Sequence, residues 1–200
     1  MIGVIDYGVG NIASVINAFE YLKIPAKKVS NQNEINNSSS LVLPGVGSFE
    51  YGMKALHELG FIHSLEKHIN EDKPFLGICL GMQLLFEKSH EQGEHEGLGI
   101  IPGEVVLIER TKGLFVPHVG WNDVSLSSES RILAGDENFY FVHSYACHCK
   151  DENFVKGTTN YGVQFDTVIE YGNIFGVQFH PEKSHKAGFS LLEKFGNISC

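Results

Sequence analysis

Two short stretches carry side chains suited to acyl transfer. In GICLG, residues 77–81, Cys79 stands between glycines where one apolar run ends and another begins at Leu80. A strand that turns straight into a helix leaves little room at the corner, and glycines let the backbone pass close there. A nucleophile on such an elbow is presented at the top of a sheet. It also lies at a helix N-terminus, whose partial positive charge favours thiolate over thiol. The Leu80 N–H then points to where an oxyanion would form. Taken alone, Cys79 reads equally well as a buried cysteine acting as a small hydrophobe.

The second stretch is FGVQFHPEKS, residues 175–184. A thiolate nucleophile needs a histidine to carry its proton and an acid to orient that histidine. The chain has ten histidines, so a histidine as such says little. His180 is set apart because it ends an apolar run and precedes Pro181, which breaks a strand into a turn. Glu182 can reach the imidazole if that turn folds back. An exposed polar strand end is the plainer reading of HPE, but beside a cysteine elbow the set reads as Cys79, His180 and Glu182 acting together.

The elements that must position these residues follow from the apolar pattern. Strands are expected at 2–5, 26–29, 41–43 and 75–78, with helices at 12–22, 49–59, 61–69 and from Leu80 onward. Residues 30–40 read as a short helix or loop, with NNSSS (36–40) at the surface. Short apolar strands alternating with helices predict a mostly parallel sheet covered on both faces. Functional residues in such sheets gather at the carboxyl ends of the strands, here 6–11, 44–48 and 79–81. The second half is strand-rich, with strands expected at 105–108, 114–116, 139–143, 161–165 and 174–179, and a closing helix at 187–195. No internal repeat or long linker occurs, so residues 1–200 are expected to form one domain.

Composition narrows the function classes. Apolar residues make up 42% and charged residues 20%, ordinary for a globular chain. A formal charge of −9 leaves no basic excess for general nucleic-acid binding. No apolar run reaches the roughly 18 residues of a membrane span, and the N-terminus lacks signal-peptide character. A cytoplasmic enzyme is expected, without structural disulfides among Cys79, Cys147, Cys149 and Cys200.

Together, GICLGMQLLFE and GVQFHPE resemble the class I (triad-type) glutamine amidotransferases, in motif and in chain order. The resemblance spans essentially the whole chain and implies their flavodoxin-like three-layer α/β fold. DYGVGN (6–11), LPGVGSFEYGM (43–53) and PHVGWN (117–122) are similar to the branch that serves imidazole glycerol phosphate synthase as its glutaminase subunit. The resemblance implies hydrolysis of the glutamine carboxamide, with Cys79 as nucleophile, His180 as general base and then acid, and Glu182 fixing the imidazole. It implies an oxyanion hole from the Leu80 N–H and a PGVG N–H at Val46 or Gly47, and the glycine-rich PGVG turn suits a peptide that reorients to complete the hole. Gln83 and Glu91 match substrate-contacting positions, Glu91 meeting the α-ammonium, and Ser144 and Tyr145 match a segment whose backbone lines the pocket. A HisF-like (β/α)8 cyclase is the implied heterodimer partner, receiving ammonia across an interface that includes Asn11, Trp121 and Lys183. No cofactor is implied.

The segment ACHCK, 146–150, departs from what the resemblance leads one to expect. Cys147, His148 and Cys149, with His143 nearby, raise the question of zinc. Adjacent strand residues point to opposite faces, so no metal site is expected and free thiols are the plain alternative. A paralogous subunit supplying ammonia for amidination of a cell-surface sugar would share the same catalytic residues and stays open at this point.

Overall fold

Four runs buried on both faces, β1 (Ile2–Ile5), β3 (Ser40–Leu43), β4 (Phe75–Ile78) and β13 (Ile174–Val177), form the parallel centre of the sheet. The structure is a computed structural model and describes residues 1–109 and 113–198; Cys200 lies outside the described residues. β2 (Ala26–Val29) pairs in parallel with β1 at the near edge. The far side is built from β5 (Phe86–Ser89), β6 (His95–Glu96), β7 (Ile101–Leu107), β10 (Tyr145–Cys149) and β12 (Val163–Tyr171). The order is β2-β1-β3-β4-β13-β12-β10-β7-β5-β6. An antiparallel extension, β8 (His118–Leu126), β9 (Glu137–His143) and β11 (Val155–Tyr161), joins through β12.

Helices cover both faces, as continuous apolar strands require. On one face α1 (Ile12–Tyr21) and α6 (His185–Ile198) bury Val15, Phe19, Leu192 and Phe195 against Val4, Val42 and Phe175. On the other, α2 (Gln32–Asn36), α3 (Phe49–Glu58) and α4 (Ile62–Asn70) bury Ile35, Phe49, Leu56 and Leu65 against Ile5, Leu43 and Phe75. The expected α/β architecture, mostly parallel at its centre with a strand-rich second half, is the one observed. Because β1, β3, β4 and β13 run parallel, their carboxyl ends share one edge, with residues 6–11, 44–48, 79–81 and 178–180 beside one another.

Four local expectations are corrected. Residues 114–116 form no strand; the strand begins at His118, and its mostly exposed face gave no apolar signal. Residues 161–165 are two strands, because the chain turns at Gly162 between β11 and β12. The helix after Cys79 is a single turn, α5 (Leu80–Gln83). It stops because the Leu84 and Leu85 carbonyls accept N–H bonds from Leu98 and Ile101, both at 2.9 Å, instead of continuing the helical ladder. Residues 36–40 are only partly a surface loop: Ser38 and Ser40 are buried, and Ser38 Oγ donates to the Glu34 carbonyl at 2.9 Å.

Candidate active site

Cys79 is the corner itself. It has φ +52° and ψ −109°, a conformation L-residues rarely adopt and one that costs on the order of 1–3 kcal/mol. The surroundings enforce it. The Cys79 N–H donates to the Val177 carbonyl at 2.8 Å, tying the elbow to β13. A Cβ on Gly77 would lie 2.6 Å from the Gly81 carbonyl oxygen, and one on Gly81 would overlap the Leu43 carbonyl. Both glycines are therefore required by close approach, as the motif predicts. Leu80 is the first residue of α5, so its N–H has no partner within the helix.

The HPE segment folds back as expected. Residues Pro181–Lys183 form one 3-10 turn, and His180 Nδ1 lies 2.8 Å from Glu182 Oε1. The turn is clamped at both ends: the His180 N–H donates to the Tyr140 carbonyl (2.9 Å), and Ser184 Oγ donates to the His180 carbonyl (2.6 Å) while accepting from the Tyr140 N–H (3.0 Å). Nδ1 being committed to Glu182, Nε2 is the nitrogen left for chemistry; it is buried and makes no well-formed hydrogen bond. Burial disfavours the imidazolium, but the neighbouring Cys79 and the bond and charge of Glu182 outweigh it, so His180 is pushed up from 6.5 to about 10. The direction of the shift favours a proton on the nitrogen beside the sulfur.

A cavity of about 390 Å³ opens over the sulfur, within the range of small-molecule sites. Its lining includes Cys79, Leu80, Gln83, Glu91, Ser144 and Tyr145, with Val46 and Gly47 across from them. Lys183 also reaches it, with its ammonium 5.9 Å from the centre of the Tyr140 ring. Asn11 and Trp121 do not line it. Asn11 caps α1, accepting from the Ser14 N–H at 3.4 Å. Trp121 is exposed on β8, stacked on His185 at 5.1 Å and lining a neighbouring groove.

Several of these residues carry structural duties that the sequence did not reveal. Glu91 Oε2 accepts from the Phe49 N–H at 2.6 Å, at the N-terminus of α3, where Ser48 makes no side-chain cap. The carbonyl of Ser144 accepts from the Ile108 N–H at 2.9 Å. That of Tyr145 accepts twice, from Gln83 Nε2 (3.0 Å) and His143 Nδ1 (2.8 Å). Because a carbonyl only accepts, the second contact fixes a train of donors. His143 donates through Nδ1, so its Nε2 accepts from His118 Nδ1 (3.0 Å), whose Nε2 accepts from Asn122 Nδ2 (3.2 Å). Both histidines are neutral: burial lowers His143 to about 3, helped by the charges of His118 and His180, and lowers His118 to about 4. Ser184 and Gln178 were missed in the sequence, and His143 was weighed there only as a zinc ligand; a polar residue inside an apolar strand end, as in FGVQFH, was the signal for Gln178.

In the ACHC segment, Cys147 is fully buried and its S–H faces Gln178 Oε1 at 3.8 Å, whereas His148 is exposed and Cys149 donates to the Asp151 carbonyl at 3.3 Å. Burial pushes the Cys147 thiol well up, toward the neutral form.

The family model for class I glutamine amidotransferases matches residues 3–197. The chain belongs to this family. It is 50% identical over 196 residues to "Imidazole glycerol phosphate synthase subunit HisH" of Aquifex aeolicus, covering 96% of this chain and 94% of the relative. It is 44% identical over 199 residues to "Imidazole glycerol phosphate synthase hisHF, chloroplastic" of Arabidopsis thaliana, covering 98% of this chain but 34% of that longer protein. A crystal structure of a glutamine amidotransferase superposes with a TM-score of 0.78 at 20% identity, over 99% of this chain and 98% of the other, a likeness of fold. As a member of the family, the protein is an enzyme of glutaminase type, the activity its triad motifs imply.

Proposed function

We propose that this chain is the glutaminase subunit of an imidazole glycerol phosphate synthase and works in the cytoplasm as a heterodimer with a HisF-like (β/α)8 cyclase. The observation that carries the reading is Cys79 on the wall of a cavity that also presents Gln83 and Glu91, with the hydrogen-bonded His180–Glu182 pair beside the sulfur. Curated relatives bearing the same subunit name over nearly the full length support the pathway. The relatives named above bear the name of this synthase, which favours it over a subunit for sugar amidination.

The reaction runs in two halves. Glutamine lies in the cavity with its α-ammonium toward Glu91. Cys79 Sγ attacks the carboxamide carbon, its proton having passed to His180 Nε2, and the oxyanion is held by the Leu80 N–H and by a Val46 or Gly47 N–H. Each such donor lowers the barrier by about 3–4 kcal/mol. His180 then gives its proton to the departing nitrogen, which leaves as ammonia. Water attacks the thioester, His180 takes its proton, and glutamate leaves as the thiol reforms. Val46 is exposed and Gly47 has φ +118°, so this peptide is free to reorient when the partner docks. The partner covers Asn11, Trp121 and Lys183 and consumes the ammonia, forming imidazole glycerol phosphate and an aminoimidazole carboxamide ribotide.

The test is glutamine hydrolysis by the chain alone and mixed with a (β/α)8 cyclase and its nucleotide ligand. Slow turnover alone and strong stimulation in the mixture are expected. Full turnover alone, unchanged by the cyclase, would overturn the reading.

A further inference from the structure

Gln178 touches the sulfur of Cys79 and has no part in the triad. It is fully buried at the end of β13, two residues before His180. Its Nε2 lies 3.7 Å from Cys79 Sγ, and its Oε1 accepts from Gln83 Nε2 at 3.1 Å and from the Cys147 thiol at 3.8 Å. The two ends of an amide are told apart by their partners, and here the partners decide. The Tyr145 carbonyl can only accept, so the Gln83 amide must turn its NH₂ group inward. That group then meets Gln178, which must answer with its oxygen. The nitrogen of Gln178 is left facing the sulfur.

We propose that Gln178 stabilises the ionised nucleophile: its N–H, held in place by Gln83 and Cys147, donates to the Cys79 sulfur and favours thiolate over thiol. The proposal rests on Cys79 being the nucleophile. A donor strengthens its bond when the acceptor gains charge, so it shifts the balance toward the anion. The sulfur's other neutral contact acts the opposite way, since the Val142 carbonyl, at 3.9 Å, can only accept from the thiol. The titratable groups around the sulfur are His180, backed by Glu182, then Tyr7 and Cys147. Tyr7 spends its O–H on the Pro44 carbonyl at 2.8 Å, and Cys147 is a neutral thiol pointing at Gln178. His180 supplies the positive charge, and Gln178 supplies a neutral donor whose direction does not change with pH. The otherwise unassigned Cys147 thereby gains a task, which is to keep that donor aimed.

The experiment follows alkylation of Cys79 by iodoacetamide against pH in the intact chain, read by mass spectrometry of the Cys79 peptide. Gln178→Met keeps the bulk and removes the N–H. It is expected to move the profile to higher pH and slow alkylation at neutral pH by about tenfold, the effect of one net hydrogen bond. Cys147→Ser, whose hydroxyl still donates to Gln178, should leave the profile in place. In the complex with the cyclase, Gln178→Met should lower kcat with KM for glutamine unchanged. A folded Gln178→Met protein with the unaltered profile would overturn the proposal. If that variant does not fold, the Gln178 side-chain amide resonance of the unaltered protein serves: it should shift as Cys79 ionises, and no shift would overturn it. A failure of the underlying reading looks different, since glutaminase activity would then survive alkylation of Cys79.

Discussion

His180 Nδ1 and Glu182 Oε1 meet at 2.8 Å with both side chains only 2% exposed. Two residues apart in sequence, they are joined because Pro181 opens a single tight turn that Ser184 pins to Tyr140. The pair leaves His180 one free nitrogen, and that nitrogen faces Cys79. With the neighbouring Cys79, whose effect is the larger, it outweighs burial and raises the imidazole above its ordinary range.

Glu182→Gln should keep the turn and much of the hydrogen bond while removing the charge. Without the carboxylate the imidazolium is less favoured and the tautomer less certain. Glutamine turnover in the complex should fall by about 10²–10⁴-fold, the range of general acid–base catalysis. KM should change little, because Glu182 does not line the cavity. A steady-state comparison of kcat and KM checks this.

On the proposed function Glu91 has two duties that separate by substitution. Glu91→Gln still accepts from the Phe49 N–H, so the melting temperature should hold, while loss of the charge opposite the α-ammonium should raise KM. Glu91→Ala should raise KM and also destabilise the protein by about 0.5–2 kcal/mol through loss of the helix-terminal bond. Thermal melts beside KM values decide the matter.

The buried histidines set an acid limit. His118 and His143 titrate at about 4 and about 3 in the folded protein, below the 6.5 of a free histidine. Between these values the unfolded chain binds more protons. Their contribution to stability is therefore intact above pH 6.5 and is lost as pH falls toward 3, where protonation would also set donor against donor between the rings. Urea midpoints should drop across this window. His118→Phe should flatten part of the drop while lowering stability at pH 7 by about 1–3 kcal/mol, since it leaves the buried His143 Nε2 without its donor.

At the elbow, Gly81→Ala should abolish folding or displace β3, since the added Cβ would overlap the Leu43 carbonyl. Soluble expression and a cooperative melt, compared with Gly135→Ala, where a Cβ meets nothing, provide the measurement.

Much of this site could be read in the chain because its chemistry is written in local words. GICLG and FHPE each specify a turn, and the turn dictates where the reactive side chain goes. The parallel strands were equally plain, because burial on both faces leaves unbroken apolar runs such as SLVL and FLGI. Several misses share one physical cause, dependence on partners far along the chain. β8 is mostly exposed and is defined by pairing with β9 and β11, not by its own pattern. The helix after Gln83 stops because residues 98–101 claim its carbonyls. Gln178 and His143 find their partners only when β13, β9, β10 and α5 come together.

The central claim is that Cys79 carries the acyl group of glutamine. It is tested most directly by acid-quenching the complex with its cyclase during glutamine turnover and sequencing the adduct by mass spectrometry. The account predicts a glutamyl group on the Cys79 peptide, absent in Cys79→Ala, which should bind the cyclase yet hydrolyse no glutamine. Steady glutamine hydrolysis by Cys79→Ala, or an adduct on another residue, would contradict it.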